Sequence, residues 1–446
     1  MIFKGKPTVT STKEVNFVKQ FIKMNILIIG SGGREHTFAW KMKQSPYAEK
    51  IFVIPGNAGT ASIAINLNLD VLDFEGIKKA VIQNAIELVI VGPEVPLVEG
   101  LRDFFENDKI LKFVRFIGPA AAAAQLEGSK EFAKHFMSRQ NIPTAAYQSF
   151  DKTQLPAAFA FLESLQPPYV LKADGLAAGK GVLILDDINE AKQELRAILL
   201  DAKFGKAGQK VVIEEFLNGI ELSVFVLSDG EHYMILPSAK DYKRIGEGDT
   251  GLNTGGMGAV SPVPFATADF LNKVEKRIVI PTIKGLKEQN LPYKGFIFIG
   301  LMKVGDDPYV IEYNVRMGDP ETEVVIPRIE NDFLKLLLAV SDGQLHKMDL
   351  RINPQTAATV VVVSGGYPEA YEKHKTISGL ENVTDSLVFH AGTAFKDGAV
   401  VSTGGRVLAV TALGNDHKEA LKKAYTSIDK IAFDKMYFRK DLGFDL

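Results

Sequence analysis

The chain has 446 residues, about three times the length of an ordinary single domain, and therefore divides into several. With 46% hydrophobic and 24% charged residues it has a globular make-up, and 52 basic against 54 acidic residues argue against a nucleic-acid partner while leaving room for a local basic pocket. Cysteine is absent, which excludes disulfides, thiolate metal sites and cysteine nucleophiles and fits a reducing, cytoplasmic setting; no apolar run reaches the roughly 20 residues of a membrane span.

Residues 1–23 carry five lysines but neither an unbroken apolar core nor a small-residue cleavage site, and Met24 stands directly before a strong strand. The segment reads as an N-terminal extension, disordered or translated from a start placed too early. From Met24, predicted strands at 25–30, 50–56, 87–94 and 113–118 alternate with helices at 35–44, 74–84 and from about 97. That rhythm predicts an α/β domain over 24–126 with an open parallel sheet. Past Gly128 a helix (129–140) leads through Pro143 into strands at 169–174, 181–187, 210–217 and 221–229, close enough in sequence to predict antiparallel hairpins. Residues 240–262 look too polar for a core strand and read as a functional loop. Strands at 295–304 and 308–316, then a helix at 331–342, complete a composite middle domain (127–349). The last segment, 350–446, is strand-rich and ends in a helix near 416–431.

The first glycine loop, Gly30-Ser31-Gly32-Gly33-Arg34-Glu35-His36, lies between a strand and a helix, where backbone N–H groups and the helix N-terminus favour an anion. As a dinucleotide fingerprint it fails: Glu35 replaces the third glycine, and the second strand ends in Ile54-Pro55-Gly56-Asn57 with no acid for a ribose. A phosphate or phosphosugar at Gly32, Gly33 and Arg34 fits, as does a tight turn without ligand; His36 reads as a cap or packing residue. The second loop, Lys172 to Gly181, is not a Walker A loop, because three residues separate its glycines and Gly181 replaces the metal-binding hydroxyl. It reads as a hairpin tip whose lysines and backbone amides suit nucleotide phosphates.

In Val310-Ile311-Glu312-Tyr313-Asn314-Val315 the strand period places Glu312 and Asn314 on one face and Ile311, Tyr313 and Val315 on the other. A carboxylate and an amide oxygen are hard ligands suited to magnesium; a polar sheet face is the alternative. The turn after it, Arg316 to Glu323, packs a guanidinium against three carboxylates. Asp249 to Gly258 supplies glycines and hydroxyls for an anion-binding nest. The seven histidines read as scattered and structural, and no Ser/His/Asp spacing is recognisable.

The runs ILIIGSGGREHTFAWK, PGNAGT, VGPEVPLVEG, GPAAAAAQLEGSK, LKADGLAAGKGV, VIEEFLNGIELS, DTGLNTGGMGAVSP, VIEYNVRMGDPET, SGGYP, VFHAGT and GGRVL together resemble the phosphoribosylamine–glycine ligase family of the ATP-grasp superfamily, from Met24 nearly to Leu446. The resemblance implies an N-terminal α/β domain, an ATP-grasp domain of two subdomains (the lid at about 147–216) and a small strand-rich C-terminal domain. It further implies ligation of glycine to 5-phosphoribosylamine with ATP as co-substrate, Mg2+ or Mn2+ on Glu312 and Asn314, and catalytic roles for Arg316 and Lys180. Lys130, Lys172, Gly179, Lys180, Gly181, Glu214, Glu215, Phe216, Leu217 and Glu221 would bind ATP. Gly32, Gly33, Arg34, Asn57, Gly59, Thr60 and Glu94 would face phosphoribosylamine, and Asp249, Asn253, Gly255, Gly256, Gly258 and Asp319 would surround glycine with Arg316. The expected partners are these small molecules, with no nucleic acid or membrane, acting on a monomer or weak dimer. Another ATP-grasp ligase, a non-catalytic nucleotide-binding module and a dehydrogenase are the competing readings.

Overall fold

The structure, a computed structural model, describes residues 23–177, 181–201 and 203–446. Apart from Lys23, the expected N-terminal extension lies outside the described residues, as do Gly179 and Lys180. Strands β1 (Met24–Gly30), β2 (Ala48–Pro55), β3 (Ile65–Asn66), β4 (Ile86–Val91) and β5 (Arg115–Ile117) form a parallel sheet in the order β3-β2-β1-β4-β5. Helices α1 (Gly33–Met42), α2 (Ala58–Ile63), α3 (Phe74–Gln83), α4 (Val95–Val98) and α5 (Leu101–Asn107) intervene. Strand β1 is apolar on both faces because both are covered. Leu27 and Ile29 share a core with Ile77 of α3 and Phe105 of α5. Ile26 and Ile28 share another with Phe38, Phe225, Phe296 and Phe333, so the first domain is packed directly onto the middle one. The strand order reverses at β1, which places the loops after β1 and β4 on the two sides of one crevice.

Helices α6 (Ala121–Gly128) and α7 (Lys130–Arg139) meet at Ser129, whose hydroxyl caps α7 by accepting the Phe132 N–H. An antiparallel sheet of β6 (Tyr147–Asp151), β7 (Tyr169–Ala173), β8 (Val182–Leu185) and β9 (Lys210–Glu214), in the order β6-β9-β7-β8, carries α8 (Leu155–Ser164) and α9 (Ile188–Leu199). It has a core of its own, including Phe150, Leu162, Leu171, Leu195 and Ile213. Strands β7 and β8 form the expected hairpin. Strands β9 and β10 (Ile220–Ser228) do not: both edges of β9 are taken by β6 and β7, and β10 enters another sheet.

That second sheet has the order β11-β10-β16-β17, with β11 spanning Tyr233–Ile235. Residues 240–262 contain β12 (Lys240–Asp241), an exposed hairpin of β13 (Arg244–Gly246) and β14 (Thr250–Asn253), and β15 (Gly258–Ser261). The expectation of a loop throughout is therefore corrected at β15, a fully buried strand. Its residues are small and weakly apolar, and pairing with a Val-rich neighbour makes it a strand; a Cβ on Gly258 would lie 2.6 Å from the Thr359 carbonyl oxygen. After α10 (Ala268–Val274) and α11 (Ile280–Glu288) come β16 (Gly295–Val304) and β17 (Asp307–Asn314), then α12 (Thr322–Val325) and α13 (Phe333–Ser341). The C-terminal sheet uses β18 (Thr356–Ser364), β19 (Leu387–His390) and β22 (Arg406–Gly414), in the order β12-β15-β18-β22-β19. Strands β20 (Thr393–Lys396) and β21 (Ala399–Ser402) form a hairpin, β23 (Met436–Tyr437) pairs with β18, and α14 (His417–Ile428) packs on the sheet. The molecule is α/β, with α+β middle and C-terminal parts. Among the described residues no helix is long and apolar enough to cross a membrane.

Candidate active site

A cleft of about 990 Å³ runs between the small β6–β9 sheet and the β10–β17 sheet and reaches the crevice of the first domain and one edge of the C-terminal domain. At one end it is lined by Lys130, Lys172, Gly181, Glu221 and the segment Glu214-Glu215-Phe216-Leu217. The Lys130 ammonium donates to the Gly175 carbonyl (3.1 Å), and Lys172 donates to the Ile311 carbonyl (3.0 Å) and pairs with buried Glu214 (3.0 Å). Glu221 pairs with Lys243. Flexible ammonium groups lining a half-apolar slot suit a polyphosphate and its base.

Glu312 and Asn314 both line the cleft. The simple alternation expected of their strand is broken: Gly300 faces Glu312 and Leu301 faces Val310, leaving Ile311 as a bulge. Ile311 therefore lines the cleft beside Glu312, while Val310 and Tyr313 are buried in the core, which corrects the predicted placement of Ile311 with Tyr313 and Val315. Gly300 gives Glu312 its room, since a Cβ there would stand 2.8 Å from Glu312 Cγ. Asp241 and Glu321 line the same wall. Burial, with repulsion from Glu221 and Glu312, pushes Asp241 up to about 6. Burial, with repulsion from Asp241, pushes Glu321 up to about 8. Burial acts to raise Glu312 too, but Lys243, Lys130 and Lys172 outweigh it and hold its carboxyl below the ordinary value. Hard oxygen ligands amid a surplus of buried carboxylates are what a divalent cation would relieve, so the residues fit a metal.

At the other end the charges are arginines, each tied to carboxylates. Arg316 donates from Nε to Glu94 (3.3 Å) and from one terminal nitrogen to Glu127 (2.6 Å), bridging the loop after β4 to α6. Burial and Arg316 act in opposite senses on Glu94, and the cations Arg316 and Arg34 prevail, holding it below its ordinary value. Arg34 pairs with Glu35 (2.7 Å) and donates to the Met317 carbonyl (3.0 Å). Arg406, from the C-terminal domain, pairs with Asp319 (3.1 Å), and the Tyr367 hydroxyl accepts the Gly255 N–H (3.0 Å). Asp249 and Asn253 line this region, with Asp249 held by buried Arg439 (2.5 Å).

Several candidates lie behind the cleft wall instead of on it. Gly32 and Gly33 lead into α1, where a Cβ on Gly33 would stand 2.2 Å from Glu323 Oε1. Asn57 caps α2, accepting the Thr60 N–H (2.9 Å), and donates to the carbonyls of Ser31 (2.8 Å) and His390 (2.7 Å); Thr60 is fully buried beside it. Gly59 packs against His36 and His390, Gly256 against Pro320, and Gly258 lies within β15. His36 packs too: its Nδ1 accepts the His390 N–H (2.8 Å), joining the first and last domains. Glu35 accepts the Gly32 N–H and fills the switch-point crevice, lying 2.5 Å from a Cβ on Gly30 and 1.8 Å from one on Gly92. That plug explains physically why the loop cannot cradle a dinucleotide.

Asp241, Lys243, Glu321, Glu127, Tyr367 and Arg406 were not singled out from sequence. Glu127 lies in GPAAAAAQLEGSK, Glu321 in the acidic turn, and Tyr367 and Arg406 in SGGYP and GGRVL, so the family motifs held a signal for four of them. The histidines are also less scattered than expected. Asp229, His232 and His346 converge within 4.8 Å away from the cleft, where Asp229 accepts N–H groups of Glu231, His232 and Leu345 and braces a turn.

Residues 24–127, 128–322 and 357–445 match the N, ATP-grasp (A) and C domains of phosphoribosylglycinamide synthetase. The chain is 47% identical to phosphoribosylamine–glycine ligase of Vibrio vulnificus over 426 residues, 94% of this chain and 98% of that protein. The Pseudomonas aeruginosa ligase is 46% identical over 427 residues, with the same coverage of 94% and 98%. The crystal structure of phosphoribosylamine–glycine ligase from Thermotoga maritima superposes with a TM-score of 0.80 at 36% identity, covering 94% of this chain and 99% of that one. The chain belongs to the phosphoribosylglycinamide synthetase family.

Proposed function

We propose that the cleft ligates glycine to 5-phosphoribosylamine with ATP, through glycyl phosphate, giving glycinamide ribonucleotide, ADP and phosphate for purine (IMP) biosynthesis in the cytoplasm. A carboxylate cannot lose oxide, so it becomes an acyl donor only when phosphorylation supplies a leaving group. Glycine's carboxylate oxygen attacks the γ-phosphorus, ADP departs, and the ribosylamine nitrogen then attacks the acyl carbon as phosphate leaves. Such chemistry depends on positioning and on neutralising spread negative charge.

Lys130, Lys172 and Gly181 meet the nucleotide phosphates, and Gly179 and Lys180, outside the described residues, belong to the same phosphate-binding set; Glu214 to Leu217 lie along the base and Glu221 takes the ribose. Glu312 and Asn314 would hold Mg2+ or Mn2+, which supplies charge neutralisation on the phosphoryl oxygens. Arg316, Asp249, Asn253, Gly255 and Asp319 serve the glycine and reacting-phosphate end. Arg34 and Glu94 serve phosphoribosylamine, with Gly32, Gly33, Asn57, Gly59, Thr60, Gly256 and Gly258 shaping the wall behind. The partners are small molecules, and the enzyme works as a monomer or weak dimer.

One observation carries this reading: the lysine slot, the Glu312/Asn314 pair and the switch-point residues Arg34 and Glu94 open into a single cleft. An ADP-release assay tests it. Turnover should need both glycine and phosphoribosylamine generated in the mix; release driven by bicarbonate or formate in place of glycine would overturn it.

A further inference from the structure

Helix α7 presents Lys130 and Lys134 one turn apart on one face. Lys130 reaches the cleft, whereas Lys134 is 2% exposed and lies behind it. A buried ammonium is a costly choice where a leucine would pack, so its partners must explain it. Its Nζ pairs with Glu214 (3.0 Å), donates to the Thr144 hydroxyl (2.8 Å) and reaches the Ala145 carbonyl (3.5 Å).

Those partners belong to the two stretches that join the β6–β9 unit to the rest of the molecule. The incoming stretch is fastened to β17: the Val310 N–H donates to the Pro143 carbonyl (2.8 Å), and the Thr144 hydroxyl to the Val310 carbonyl (2.6 Å). The outgoing stretch runs alongside, with the Glu215 N–H donating to the Ala146 carbonyl (3.0 Å) and the Ala146 N–H to the Glu215 carboxylate (2.8 Å). Lys134 holds both at once. It is also the second cation on Glu214, whose other partner is Lys172 (3.0 Å).

We propose that Lys134 is a positioning residue for the nucleotide: it pins both connections of the lid to the body and shares the charge of Glu214, leaving Lys172 free to serve the cleft. Without it, Glu214 would be a buried carboxylate with one cation, and Lys172 would be drawn into that pair and away from phosphate. The inference rests on the reading of this end of the cleft as the ATP site. The charged and titratable groups around Lys134 are Glu214 on β9, Glu215 beyond it, Lys172 on β7 and the Tyr147 ring on β6, 5.3 Å away. Burial, partly offset by Glu214, lowers the Lys134 ammonium to about 8.

Calorimetric titration of the full chain with Mg-ADP tests this. Lys134→Met should weaken ADP about tenfold, with kcat at saturating ATP changed less than about threefold. In the double variant Lys134→Met/Glu214→Gln, which removes the stranded charge together with its partner, the loss of ADP affinity should be smaller than the sum of the losses in the two single variants. Thr144→Val should weaken binding about threefold. Unaltered ADP affinity should fall as pH rises through about 8, where Lys134 loses its proton, and the double variant should lack that fall. Unchanged ADP binding by Lys134→Met, or strictly additive losses in the double variant, overturns the proposal. Should Lys134→Met fail to fold, Thr144→Val and the pH dependence of the unaltered chain decide, and the absence of both effects overturns it. If the unaltered chain binds no ADP, the ATP-site reading itself fails, and this proposal with it.

Discussion

The two ends of the cleft solve the same problem, meeting anions in a chain with a net charge of −2, by different means. At the lysine end the ammonium groups rest on carbonyls or share one glutamate, and can turn toward a ligand with little disruption. At the arginine end Arg34, Arg316 and Arg406 are planar forks already tied to Glu35, to Glu94 and Glu127, and to Asp319. The three arginines come one from each domain and their carboxylates from the first and middle domains, so the arginine end is prebuilt by the fold. The lysine end adapts; the arginine end holds its shape.

The junction of the two ends should be the most sensitive point. Glu312→Gln should lower ADP formation about 1000-fold with an unchanged melting temperature, checked by coupled assay and thermal denaturation; near-normal turnover would remove the metal assignment. Arg316→Ala should lose activity and also about 3 kcal/mol of stability, because buried Glu127 would lose its ion-pair partner and Glu94 one of its two cations. Urea unfolding reads this, and a stable variant would show that the arginine end is not structurally prebuilt. Arg406→Ala should raise KM for glycine or phosphoribosylamine about tenfold while KM for ATP stays within about twofold, separating the ends kinetically. An equal rise for ATP would erase the distinction.

The smallest effect concerns the His36–His390 contact. Burial, with repulsion from His390, lowers His36 to about 3, and burial lowers His390 to about 4. The folded state therefore binds fewer protons than the unfolded state, whose histidines titrate near 6.5. Their contribution is complete above that value and is lost as pH falls toward 4. Melting temperature should drop over this window, and drop less in His36→Asn; equal slopes would place the acid sensitivity elsewhere.

Much of this was legible in the sequence because local chemistry dictated it. The apolar run of β1 announced a strand covered on both faces, and the failed third glycine at Glu35 announced that the switch point would not take a dinucleotide. What escaped notice depended on distant partners. Nothing in Val310-Ile311-Glu312 marks the bulge, which exists only in register with Gly300 and Leu301. Strand β15 is a strand because β18 pairs with it, some 100 residues onward. Asn57 and Thr60 could have been read as a helix cap, since Asn followed three residues later by Thr before a short helix is a capping pattern. Arg406 meets Asp319 across 87 residues, a proximity no spacing rule encodes.

The sharing of β1 between two cores has a mechanical consequence. Its alternate side chains are cemented into opposite layers, so the first domain cannot swing as a unit without tearing both. The β6–β9 unit has a private core and hangs by two stretches, so it can open while everything else stays closed. In native-state hydrogen exchange its amides should form a separate, lower-energy opening class, leaving β1 to exchange only through global unfolding.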